Sequence, residues 1–102
     1  MRKSFMAVLA AATLFSLPVL AGPLEDGARA YQRGDYAGAM NAWRPISQTD
    51  PTVMNNIGVM YMDGHGVARS YPLAIQWLSR SAAAGSSLGQ NSLGGIYRDG
   101  RG

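Results

Sequence analysis

The chain repeats itself at a distance of 36 residues. Asn55-Asn56-Ile57-Gly58-Val59-Met60-Tyr61-Met62-Asp63-Gly64-His65-Gly66 realigns with Asn91-Ser92-Leu93-Gly94-Gly95-Ile96-Tyr97-Arg98-Asp99-Gly100-Arg101-Gly102. Six of the twelve positions are identical, and Ile57/Leu93 and Met60/Ile96 exchange one apolar side chain for another. A period in this range marks stacked helical hairpins, because one hairpin cannot bury its own apolar face and must lean on the next. The expected fold is therefore all-α, an α/α superhelical solenoid of about two and a half repeats.

The first 21 residues read as a targeting segment rather than as fold. Met1-Arg2-Lys3 is a positive start, Phe5 to Leu17 is almost wholly apolar, and Pro18 breaks the run. Val19-Leu20-Ala21 supplies small residues where a signal peptidase reads, so the expected cut follows Ala21. The alternatives are an uncleaved membrane anchor or a buried helix; Phe5 to Leu20 spans 16 residues, short of the roughly 20 that cross a bilayer core. Residue 22 is Gly, so the acylated cysteine of a bacterial lipoprotein is not there. The expected location is periplasmic or secreted, with no stable membrane insertion after cleavage.

Removing that segment changes the charge. The net +3 includes Arg2 and Lys3; from Gly22 onward seven arginines face six acids, a net of about +1. The arginines are scattered and no aromatic platform accompanies them, which argues against nucleic acid. Arginine does favour bidentate pairing with carboxylates, which keeps an acidic protein partner in view. There is no cysteine. An exported chain this short usually depends on disulfides, so stability has to come from helix stacking.

The mature chain reads as helix throughout, since no apolar/polar alternation runs far. Asp50 caps a helix with Pro51 in its first position. Met54, Ile57, Gly58 and Tyr61 form its core stripe at i, i+3, i+4, i+7. Gly64-His65-Gly66 ends it, and a second helix opens at Ser70 with Ala74, Trp77, Leu78, Ser81 and Ala82 on one side, closed by Gly85. Trp77 is the expected key core residue. Gly58 and the small residues of the facing stripe predict close helix approach, which offsets the cost of an interior glycine, about 0.5–1 kcal/mol. A shorter copy precedes this hairpin: Ala28-x-x-Tyr31-x-x-Gly34 mirrors Gly58-x-x-Tyr61-x-x-Gly64. Asp35 would cap its second helix, which carries Tyr36, Ala39, Met40 and Trp43 and must kink or end near Arg44 because of Pro45.

The stretch Asn56-Ile57-Gly58-Val59-Met60-Tyr61-Met62-Asp63-Gly64-His65-Gly66-Val67, then Tyr71, Ala74, Trp77, Ser81-Ala82-Ala83 and Gly85, resembles a Sel-one-like repeat, a relative of the tetratricopeptide repeat. Gly34-Asp35-Tyr36-Ala37-x-Ala39 and Trp43-Arg44-Pro45-Ile46 resemble the partial first unit of bacterial exported members. This divides the chain into a signal peptide (1–21), a partial tetratricopeptide-like repeat (22–49), a Sel-one-like repeat (50–85) and an incomplete one with its first helix only (86–102). The resemblance implies a non-catalytic scaffold for protein–protein contacts in the bacterial envelope. Ser70 stands in place of the usual acidic cap, and Ser81 in place of the usual basic residue. Cysteine-rich relatives that act on β-lactams are a poor guide here, because this chain has no cysteine.

Candidate chemistry is sparse. His65 is the only histidine and sits in a glycine loop, where a solvated role is the expectation. Asp63-Gly64 and Asp99-Gly100 lack the spacing of a calcium loop and read as helix ends. Ser86 and Ser87 have no His/Asp partners or nucleophile elbow. No metal, cofactor or catalytic residue is expected. The leading function is an exported adaptor or scaffold that binds a protein or peptide. One alternative is a truncated or degraded copy of a longer repeat protein; another is a small-molecule-binding or enzyme-like variant. The expected binding face lies opposite the core stripe: Asn56, Val59 and Asp63, with Ser92, Gly95 and Asp99 as counterparts in the next repeat. Leu88, Leu93, Ile96 and Tyr97 have no second helix after them in this sequence. That predicts self-association, a partner that completes the hairpin, or fraying after Gly85, with fraying the expectation for an isolated monomer.

Overall fold

The computed structural model describes residues 22–101. The signal-peptide reading of Met1–Ala21 and the final Gly102 lie outside the described residues. The described chain holds five α-helices and no strand: α1 (Pro23–Gln32), α2 (Tyr36–Trp43), α3 (Pro51–Asp63), α4 (Tyr71–Ala83) and α5 (Ser87–Arg98). A single 3-10 turn, Arg44–Ile46, follows α2. None of these helices is long and apolar enough to cross a membrane.

Local chemistry accounts for each boundary. Asp35 accepts from the Gly38 N–H at 2.9 Å, and Asp50 accepts from Thr52 and Val53 at 2.9 and 3.2 Å. Ser70 and Ser86 do the same for α4 and α5 through the N–H groups of Leu73 and Gly89. These side chains satisfy donors that the first helical turn leaves without partners. Pro45 cannot donate a helical hydrogen bond, and α2 gives way to the 3-10 turn at Arg44. At the end of α3, Gly64 is left-handed with φ 74° while its N–H bonds to the Met60 carbonyl at 2.8 Å.

The helices form stacked antiparallel hairpins with α3 in the centre. On one side of α3, Val53, Ile57 and Met60 join Ala30 of α1 and Ala39 and Trp43 of α2 in one buried cluster. On the other side, Ala74 and Leu78 of α4 meet Ile96 of α5, flanked by Tyr61, Met62, Ile75 and Leu93. Tyr61 touches both clusters. The buried surface of α3 is thus wider than the four-residue stripe read from its spacing, since Val53 and Met60, and the polar Asn55, are buried too. A helix with neighbours on two sides must be apolar on two sides.

The close approach expected at Gly58 is present. A Cβ there would stand 2.7 Å from Leu78 and 3.3 Å from the Ala74 carbonyl. The expectation for Trp77 is corrected. Trp43 is the fully buried tryptophan, 1% exposed, whereas Trp77 is only partly buried at the edge of the first cluster. The geometry explains the exchange. Trp43 lies eight residues after its cap Asp35, and Leu78 eight after its cap Ser70, so these two share the inward position.

His65 also departs from the solvated role expected of it. Its Nδ1 lies 2.9 Å from the Tyr31 hydroxyl, and its ring stacks on Tyr36 at 4.8 Å and 5°. The neighbouring Gly66, φ 75°, has no room for a side chain because Tyr36 occupies it. The Gly-x-Gly loop therefore docks the second hairpin onto the first, and glycine at 66 meets both the backbone angle and the lack of space.

Candidate functional site

A groove of about 320 Å³ runs where three layers of the stack meet. Its floor comes from α3, through Ile57 and Tyr61. Met40 on α2 and Trp77 on α4 form facing walls, and Val67 in the loop after α3 closes one end. Arg44, Ser47 and Gln48 enter from the 3-10 turn and the segment after it. The break that Pro45 imposes is what brings Arg44 and Gln48 to the groove rather than further along a helix.

Electrostatics give this groove a sign. Arg80, one helical turn after Trp77, places its guanidinium 5.0 Å from the centre of the indole ring and donates to Gln48 Oε1 at 3.2 Å. Stacked this way, a guanidinium still presents in-plane N–H donors. The two ion pairs among the described residues, Arg29–Asp26 and Arg33–Asp35, lie in the first hairpin. No acid lines the groove. A second hollow, of about 410 Å³, lies between Pro51-Thr52 and the turn Ala84–Leu88. Small side chains and turn backbone wall it, with neither a charge nor an aromatic ring, so the first groove is the better equipped to hold a ligand.

The residues expected to form a binding face are distributed differently. Asn56 and Val59 are half-buried rather than fully turned to solvent, while Asp63 is exposed at the end of α3. Ser92 is half-buried and donates to Asn55 Oδ1 at 2.8 Å, tying α5 to α3. Gly95 is half-buried, with only the Arg98 guanidinium near the place a side chain would take, and Asp99 is exposed beyond α5. None of the six lines the groove. The groove residues left out of that expectation carried a sequence signal. Neither Arg44 nor Arg80 has an acidic residue within four positions along the chain, and Arg80 follows Trp77 at i+3. No potential metal site, counted as three or more His, Cys, Asp or Glu side chains grouped together, occurs among the described residues.

The central hairpin, α3 and α4 with the Gly-x-Gly loop between them, coincides with a recognised unit. The family model of the Sel1 repeat matches residues 51–86. The chain carries a Sel1 repeat. That Sel1 repeat supplies the groove floor, the loop at its end and the Trp77 wall, while the preceding hairpin supplies the opposite wall. Sel1 repeats generally mediate protein–protein interactions and are typically non-catalytic. No curated protein and no solved structure matches the chain.

Proposed function

We propose that this protein is an exported, non-catalytic adaptor of the bacterial envelope that holds a segment of a partner protein in the groove between its first hairpin and its Sel1 repeat. The observation that carries this reading is the groove itself. Apolar and aromatic groups from α2, α3, α4 and the loop after α3 converge there, and Met40, Tyr61, Val67 and Trp77 remain partly accessible. Export rests on the sequence of Met1–Ala21, with cleavage before Gly22.

Photo-crosslinking in the producing cell tests both parts. A crosslinker at Gln48, exposed on the groove, should capture a partner, and one at Gln90, exposed on α5, should not. The crosslinker-bearing protein itself should begin at Gly22 and fractionate with the periplasm or medium. Equal capture from both positions, or none from Gln48, would remove the groove from the function. Intact Met1 in the membrane fraction would replace export with anchoring.

A further inference from the structure

We infer that the groove selects an acidic-apolar peptide: an extended partner segment in which an apolar side chain lies next to one or more Asp or Glu residues. The inference deepens the groove reading above and rests on it. Its basis is charge complementarity. Arg44 lines the groove and Arg80 covers the Trp77 wall, yet neither pairs with a carboxylate of the chain. All six acids of the mature chain sit elsewhere. Glu25 and Asp26 are on α1, Asp35 and Asp50 cap helices, and Asp63 and Asp99 stand at helix ends.

Two arginines without counter-ions beside a common apolar groove make an environment that favours negative charge next to hydrocarbon. Arg80 is also pre-positioned. Its place over the Trp77 ring and its bond to Gln48, both lining residues of the groove, hold the side chain beside the groove, so less conformational freedom is lost when a carboxylate binds. A ligand with charge alone would leave Met40, Tyr61 and Val67 uncovered, and one with apolar groups alone would leave both guanidinium groups without a counter-ion. A segment with both kinds of residue in adjacent positions satisfies the two together.

Panning a library of short random peptides against the full chain tests the inference. Bound sequences should be enriched in Asp or Glu beside Leu, Phe or Trp. The consensus peptide should bind less tightly as salt rises, and Arg44→Gln or Arg80→Gln should each weaken it about tenfold. Arg80→Lys, which keeps the charge but loses the planar stack, should restore only part of the affinity. Circular dichroism of these exposed-residue variants should match the parent, which separates lost binding from lost folding.

Enrichment of apolar residues without acids, or of Lys and Arg, would overturn the charge inference while the groove reading stands. If polyglutamate competes as well as the selected peptide, the arginines form only a diffuse basic patch, and the inference again fails. If no peptide is enriched, or the enriched peptides leave the Trp77 fluorescence and the amide signals of Met40, Tyr61 and Val67 unchanged, the groove reading itself fails.

Discussion

Gly27 leaves its side-chain space to the indole of Trp43. A Cβ at residue 27 would overlap the Trp43 ring, whose Nε1–H also donates to the Leu24 carbonyl at 3.2 Å. The ring is 1% exposed and is held from both α1 and the core cluster, so it has little freedom to move aside. Gly27→Ala should therefore lower stability by about 1–3 kcal/mol, as other over-packed cores do, although alanine is the better helix former. Trp43→Ala should cost about 3–5 kcal/mol, and the partly exposed Trp77→Ala distinctly less. Urea denaturation followed by circular dichroism ranks the three. A Trp77→Ala variant less stable than Trp43→Ala would mean that the two tryptophans have been given the wrong roles.

Two glycines inside helices should respond to alanine with opposite signs. At Gly58 the new methyl group would press on Leu78 and the Ala74 carbonyl, and a loss of about 1–3 kcal/mol is expected. At Gly94 nothing lies within 4 Å, so the better helix propensity of alanine should raise stability by up to about 1 kcal/mol. Thermal melts of the two single variants are sufficient. Equal shifts at both sites would show that helix propensity outweighs packing in this stack.

Asn55 and Ser92 should be energetically coupled. Their hydrogen bond at 2.8 Å joins α3 to α5, and Asn55 is 6% exposed, so deleting Ser92 leaves a buried amide group short of a partner. A double-mutant cycle with Asn55→Ala and Ser92→Ala should give a coupling of about 0.5–1.5 kcal/mol. Additive effects would mean that water serves either side chain equally well and that the bond does not hold α5.

Stability should decline in alkali through Tyr31. Burial first, then its neighbours Tyr36 and Asp63, raise the phenol above its ordinary value of about 10. The unfolded chain then loses this proton at a lower pH than the folded chain. The contribution of Tyr31 is therefore intact below pH 10 and is lost as pH rises through the higher folded value. Melting temperatures measured across this window should fall less steeply for Tyr31→Phe than for the parent. That variant also loses the bond to His65, so its stability at neutral pH should already be lower. Parallel curves for the two proteins would mean that the phenol titrates alike in both states.

Hydrogen exchange should divide the stack unevenly. The centre of α3 is enclosed by two clusters, whereas α5 is anchored by Ile96, by Gly89 against Ser81 and by the Asn55–Ser92 bond, with Leu88 and Tyr97 about half exposed. Amides of residues 53–60 should be the slowest to exchange, and those of 90–98 much faster. Equal protection across both segments would show that α5 is as firmly held as the centre.

Much of the fold was legible because it depends on rules that act over a few residues. The caps at Asp35, Asp50 and Ser70, the break before Pro45 and the approach at Gly58 all follow from backbone chemistry and from a repeat spacing that survives in the chain. The first hairpin was harder to place. Its similarity to the second runs through Ala28 and Tyr31, yet the glycine that makes room for its tryptophan is Gly27. The small residue stands four positions before Tyr31 in the first hairpin but three before Tyr61 in the second, and helical periodicity accommodates either spacing.

By itself, then, the amino-acid sequence determined the helical class, the repeat unit, the positions of the helix ends and the presence of arginines without nearby acids. Tertiary structure decided which tryptophan is enclosed, that His65 joins two hairpins, and that Arg44 and Arg80 flank one groove. The physical reason is separation along the chain. Caps and turns involve residues within a few positions of one another, but the groove brings Met40, Tyr61 and Trp77 together from three helices. Their meeting depends on how closely α3 packs against both neighbours, which no single segment specifies.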